Sequence, residues 1–298
     1  MMRALVLALL AAGCGRWHFD AEQRAPDAGG IDAPLDAEGT CNPALPFGTP
    51  VPIASLNTGT TNDGTLRLSS DELRGYFWSF RSGRGEIYYA TRASRVEPFT
   101  ITVVTGLSTT GNDLDPAPAS DGTILVYRHN VPGDVLWSAI PLSPTTFSAA
   151  DTISGLDTGS VEAQPYLQPS GNELVFQSTR TGAGDLYRST RVGGSTFSAP
   201  TLISELATAN IEGDPVLSED GLTIYFRSDA PNSALAGFNI YEANRATPTG
   251  TFGTPLLLEG VSSNSDDGPS FLSPDHCRLY LSSDRAGTND IYVATRGT

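Results

Sequence analysis

The run IEGDPVLSEDGLTIYFRS, residues 211–228, continued by NIYEANRATPTGTFGTP at 239–255, holds one full unit of a pattern that recurs five times. The unit opens on an acid, Glu212, and turns at Glu219-Asp220-Gly221. It runs apolar through Ile224-Tyr225-Phe226, restarts at Asn239-Ile240-Tyr241 and ends at Phe252-Gly253-Thr254-Pro255. The restart is easiest to follow along the chain: Ile87-Tyr88, Leu136-Trp137, Leu186-Tyr187 and Ile291-Tyr292 are its counterparts. Arg92, Arg191, Arg245 and Arg296 stand four residues after the aromatic, and Pro141 takes that place in the second copy.

Each copy carries four strand signals between Gly, Asp and Pro turns, and no long stretch has helical periodicity. The second signals, such as Tyr76-Phe77-Trp78 and Leu174-Val175-Phe176, are apolar on both faces, as in strands covered on both sides. The fourth signals are expected to begin at Phe99, Phe147, Phe197 and Phe252. Four strands repeated every 50 residues or so describe a β-propeller blade. The fold expected is therefore all-β, one five-bladed propeller of four-stranded blades over residues 41–298.

The fifth copy stops at Arg296-Gly297-Thr298, without a fourth strand, while Phe47-Gly48-Thr49-Pro50 stands alone before the first copy and matches Phe252-Gly253-Thr254-Pro255. The N-terminal strand is expected to complete the last blade and remove an open edge. Cys41 precedes that strand and Cys277 lies in the first turn of the last copy, on the same edge. A Cys41–Cys277 disulfide, stabilising by about 4 kcal/mol, is expected there; two buried thiols are the other reading.

The repeats also resemble the WD40-like propeller repeats of the TolB type. Those read roughly as Pro, Ser-Pro-Asp-Gly, an apolar strand to Phe, Ser-x-Arg, then Asp-Ile-Tyr. Pro269 to Tyr292 and Pro165 to Tyr187 match closely, and Arg128-His129-Asn130 departs from the Ser-x-Arg element. The resemblance implies the same fold and envelope protein contacts.

Met1-Met2-Arg3, an apolar run from Ala4 to Ala12, and Gly13-Cys14 resemble a bacterial lipoprotein signal. That resemblance implies cleavage after residue 13, a lipid on Cys14 and, with Gly15 next, the outer membrane. Residues 14–40 are rich in Asp, Ala, Pro and Gly and read as a solvated tether.

The chain carries a net charge of -15 with 17% charged residues, which disfavours a nucleic-acid partner. Membrane contact is expected through the lipid alone, and the protein is expected to be a monomer. Aligning the copies places Asp63, Asp113, Glu162, Glu212 and Asp266 at one position, with Asp115, Asp214 and Asp267 close behind. Five carboxylates could thus ring one mouth of the central channel and hold Ca²⁺ or another oxygen-liking cation. The competing reading gives each acid the task of accepting hydrogen bonds from its own blade's turn.

Arg81–Glu86, Arg180–Asp185 and Arg285–Asp290 read as structural pairs, and Ser79, Ser178, Ser228 and Ser283 as a blade feature rather than nucleophiles. His129 is the oddest residue of that series, and Trp78 and Trp137 are expected away from the channel. Three functions remain. The first is a non-catalytic, lipid-anchored envelope module that meets a protein or glycan. The second is a five-bladed glycosidase using channel acids such as Asp113 with Glu212. The third is a cation-binding propeller.

Overall fold

The computed structural model describes residues 41–107, 110–130, 133–230 and 235–298. The lipidation residue Cys14 and the tether lie outside the described residues. Every named element is a strand.

Five antiparallel four-stranded sheets make five blades. Their first strands are Asp63–Leu68, Asn112–Pro118, Glu162–Leu167, Glu212–Leu217 and Asp267–Leu272. These are buried nearly throughout and follow one another around the axis. The second strands, Arg74–Ser79, Leu125–Asn130, Glu173–Ser178, Thr223–Ser228 and Arg278–Ser283, run antiparallel to them. Residues such as Phe77, Tyr127, Phe176, Phe226 and Leu281 fill the space between adjacent blades. This explains their apolar character on both faces: each sheet is covered twice.

The ring closes as expected. Val51 pairs with Val293 and Pro52 with Tyr292, so Val51–Pro52 is the fourth strand of the last blade. Phe47 bridges Arg296. The Cys41–Cys277 disulfide is formed, with Cα atoms 5.9 Å apart, and it joins the approach to the borrowed strand to the first turn of that blade.

The fourth strands differ from expectation. They are Thr100–Val103, Asp151–Thr152, Thr201–Leu202 and Leu256–Leu257. In blades 2 and 3, Phe147 and Phe197 belong to small hairpins that precede the outer strand. In all four blades the Phe is a buried anchor under the link between third and fourth strands. Burial of the ring, rather than strand pairing, is what keeps it at that position.

The turn between first and second strands is also a repeated device. Ser69, Ser218 and Ser273 donate to Asp71, Asp220 and Asp275 at 2.5–2.6 Å. The residue directly after that position takes a left-handed conformation in every blade: Glu72, Gly122, Gly171, Gly221 and His276 have φ between 59° and 72°. Glycine meets that demand without cost, which is why three copies carry it.

Candidate site at the mouth of the central channel

The structure sorts the eight predicted carboxylates into sets. Register fixes the repeated acid: Asp63 pairs with Ser79, Asp113 with His129, Glu162 with Ser178, Glu212 with Ser228 and Asp267 with Ser283. Asp267, not Asp266, is therefore the fifth member. All five are at most 2% exposed and turn into their own blades rather than over the channel. Four accept hydrogen bonds from the preceding loop: Thr58 N to Asp63 at 2.7 Å, Thr158 Oγ1 to Glu162 at 2.6 Å, Thr208 Oγ1 to Glu212 at 2.6 Å, and Ser263 N to Asp267 at 2.6 Å.

Their cationic partners are the arginines of the second turn. Arg81 meets Asp63 at 3.1 Å, Arg180 meets Glu162 at 3.3 Å and Arg285 meets Asp267 at 2.5 Å. This corrects the expected pairs Arg81–Glu86, Arg180–Asp185 and Arg285–Asp290. Each guanidinium folds back over its blade's serine, which accepts the Nε–H at 2.8–2.9 Å, and so reaches the more buried acid. Blade 4 has Ala230 at this place, and in blade 2 His129 Nδ1 lies 2.8 Å from Asp113. Without an arginine, burial pushes the carboxyls of Asp113 and Glu212 above the usual range. Among the described residues no three His, Cys, Asp or Glu side chains converge as ligands for a metal. The carboxylate ring proposed for Ca²⁺ is not assembled by these five.

What faces the channel is the residue two places further on. Thr65, Asp115, Gln164 and Asp214 all have positive φ, 45–53°, at a bulge in the first strand. Such a conformation costs a non-glycine residue of order 1 kcal/mol, and four in one ring is a concentration of strain typical of functional sites. Pro269 holds the matching place in blade 5. The bulge aims each side chain at the next blade, and glycines make room: a Cβ on Gly213 would lie 2.3 Å from Gln164 Oε1, and one on Gly268 would lie 2.4 Å from Asp214 Oδ2.

Together with the second-strand residues Trp78, Arg128, Arg227 and Ser282 they line a polar mouth of about 350 Å³, rimmed by Asn62, Asp266, Asp284 and Asn289. Trp78 thus stands at the channel, against expectation. It fits because Gly64 opposite has no side chain; a Cβ there would lie 2.5 Å from the indole.

A chain of polar contacts crosses the mouth. Trp78 Nε1 donates to Thr65 Oγ1 at 3.0 Å, and Thr65 Oγ1 donates to Asp115 at 2.9 Å. Arg128 Nε lies 2.8 Å from Asp115, and Arg227 Nε lies 3.2 Å from Asp214. The Asp214 backbone N–H donates to Gln164 at 3.0 Å. Burial, reinforced by the charge of Asp115, raises the pKa of Asp214, and Arg227 pulls the other way. Burial works against the Arg128 charge, yet Asp115 and Asp134 carry its pKa above the usual value.

Below the mouth one side chain ties three blades together. Arg67 is buried on the axis, 4.8 Å from the centre of the Tyr166 ring. It donates to the carbonyls of Ser270, Pro165 and Pro215, one from each of blades 5, 3 and 4. Burial lowers its pKa to about 10, so it stays cationic at neutral pH. Arg67 also lines a second cavity, with Tyr166, Pro169 and Phe271.

The sequence reading missed Thr65, Trp78, Arg128, Gln164, Arg227 and Arg67. A signal was present. Residues inside the blades repeat from copy to copy, whereas the two mouth positions read Thr/Trp, Asp/Arg, Gln/Gln, Asp/Arg and Pro/Ser in blades 1 to 5. The fold dictates the first kind and leaves the second open.

The protein defined by this architecture is a five-bladed β-propeller with a divergent polar mouth. No protein-family profile matches the chain, and no curated protein matches it in sequence. Among solved structures it is similar to an endo-arabinase from Bacteroides thetaiotaomicron, at 15% identity and TM-score 0.59, over 85% of this chain and 97% of that one. It is similar to an α-L-arabinofuranosidase from Podospora anserina solved with cellotriose, at 12% identity and TM-score 0.51, over 87% and 99%. TolB from Acinetobacter baumannii matches at 16% identity and TM-score 0.50, over 80% of this chain, which spans 55% of the length of that protein. Likeness at this identity is one of fold.

Proposed function

We propose that the protein is a non-catalytic binding module of the cell envelope, held by a lipid on Cys14 at the outer membrane, that takes a neutral glycan into the mouth of its channel. The observation that carries this reading is Trp78 beside the Thr65–Asp115–Arg128 chain at positions the fold leaves free. An aromatic face with a few convergent donors and acceptors is the chemistry that binds sugar rings. The two central carboxylates each lie against a guanidinium, so they serve as hydroxyl acceptors with fixed orientation rather than as a free acid and base. The mouth's mixed charges also argue against a polyanionic ligand.

Titration of the full-length protein with a panel of neutral oligosaccharides, read by calorimetry, tests the proposal. Binding to at least one, lost in Trp78→Ala, is expected. No binding across the panel, or binding undiminished in the variant, would sink it.

One observation favours a second reading, a glycoside hydrolase. Burial raises the Asp214 carboxyl, which suits a general acid, and Asp115 is then the paired carboxylate. This replaces the expected pair Asp113 and Glu212, which are held inside their blades. The endo-arabinase and the α-L-arabinofuranosidase among the similar structures make arabinan and α-L-arabinofuranosides the substrates to try. Release of reducing ends by the wild type, abolished in Asp214→Asn, would establish this reading; their absence rejects it.

A further inference from the structure

Among the described residues, each interface between neighbouring blades is stapled by an arginine, save one. Arg92, Arg245 and Arg296 stack on Phe99, Phe252 and Phe47 with 4.4, 4.4 and 3.9 Å to the ring centres. Each guanidinium then reaches the preceding blade. Arg92 meets the Tyr280 hydroxyl at 3.4 Å, Arg296 that of Tyr225 at 3.3 Å, Arg245 lies 3.6 Å from Glu173, and Arg191 donates to Thr123 at 2.9 Å. The Nε–H groups of Arg92 and Arg245 bind the carbonyls of Glu72 and Gly221, the left-handed turn residues of their own blades.

Blade 2 has the surroundings of this staple without the arginine. Its place is taken by Pro141, which has neither guanidinium nor N–H. Phe147 matches the stacked Phe, Gly122 the turn residue, and Tyr76 of blade 1 the tyrosine of the preceding blade. The Tyr76 and Phe147 rings are 6.0 Å apart, edge to face. Tyr76, Phe147, Gly122 and Pro141 line a cavity of about 120 Å³ between blades 1 and 2. The Tyr76 hydroxyl donates to the Pro144 carbonyl at 2.7 Å, as the Tyr280 hydroxyl donates to Glu72 while accepting from Arg92.

We propose that this cavity takes an arginine side chain of a partner protein, its guanidinium lying where the resident arginines lie at the other four interfaces. The chain supplies its own template for that occupant: three resident arginines stack on the matching Phe and reach the preceding blade, and Arg191 reaches it without the stack. Arg74 in the lining does not forbid it: its charge is met by Asp71 at 3.3 Å. Arg278 holds the matching position in blade 5, where it shares one interface with Arg92 and is paired with Glu72 at 2.7 Å; Gly122 takes the place of Glu72 in blade 2, and Asp71 of Arg74's own turn supplies the carboxylate instead. The chain's net charge of -15 favours approach of a basic partner. This site lies apart from the mouth and stands whether or not the mouth binds a glycan.

The test titrates the full-length protein by calorimetry with acetyl-Gly-Arg-Gly-amide, and with the same tripeptide carrying lysine or citrulline in place of arginine. The arginine peptide is expected to bind at least about tenfold more tightly than either control. Pro141→Arg, which fills the cavity from within, is expected to abolish binding and raise the melting temperature. Tyr76→Phe, which keeps the ring and removes the hydroxyl, is expected to weaken binding without unfolding the protein. Absence of binding at millimolar peptide, equal binding of the lysine peptide, or binding that survives in Pro141→Arg overturns the proposal.

Discussion

Arg296 places its guanidinium 3.9 Å from the centre of the Phe47 ring and donates to the carbonyls of Pro43 and Leu45. The side chain that ends the last blade thus grips the segment leading into the strand that completes it. Cys41–Cys277 closes the same junction covalently, across 236 residues of sequence.

Opening that junction is expected to be costly. Replacing both cysteines by serine should lower stability to urea by about 2–4 kcal/mol, since the bridge restrains a very long loop in the unfolded chain. Dithiothreitol should reproduce the loss in the wild type and do nothing further to the double variant. Phe47→Ala should cost a similar amount, about 3–5 kcal/mol, by emptying a buried site.

The two kinds of buried blade acid should respond in opposite ways to neutralisation. Glu162→Gln leaves Arg180 facing an amide and is expected to lose about 1–3 kcal/mol at neutral pH. Glu212 has no arginine, and burial raises its pKa in the folded chain. A carboxyl raised on folding loses stability as pH rises from its unfolded value through its folded one. Glu212→Gln should therefore be as stable as the wild type or more so at neutral pH, with a flatter decline from mildly acidic to neutral conditions. Urea midpoints measured across that range would check both variants.

Arg67 offers a third case. Arg67→Met fills similar space but strands carbonyl acceptors of three blades, each worth about 1–3 kcal/mol when buried and unpaired. A loss of at least about 2 kcal/mol is expected from denaturant unfolding. An unchanged midpoint would mean the axis is held by the blades alone.

The mouth should show its wiring in Thr65→Val. The substitution keeps a β-branched shape and removes the oxygen that links Trp78 to Asp115. A shift in tryptophan emission and a roughly tenfold weaker glycan titration are expected, with little change in melting temperature.

The blade count was legible because burial between blades forces the same apolar residues to return every fifty positions or so, and the unmatched Phe47-Gly48-Thr49-Pro50 showed where the ring had to be joined. The acid series slipped by one in the last blade because Asp266 and Asp267 are adjacent, and only backbone register with Ser283 separates them. The arginine partners were misread for a related reason: sequence spacing pairs Arg81 with Glu86, whereas the fold of the side chain over Ser79 brings it to Asp63. Trp78 and the bulged residues were hidden by strand alternation itself. Alternation tells which residues share a face, but the left-handed kink at Thr65, Asp115, Gln164 and Asp214 decides which of them look down the axis.

The pairing of Val51 with Val293 also sets an order of events during manufacture. As the propeller emerges, Val51–Pro52 has no mate until Asp290–Thr295 arrives, so the wheel stays ajar until all five blades have been made. Such distant pairing makes for slow folding. The interval during which the fifth blade lacks its outer strand is when this protein most needs protection from sticking to its neighbours.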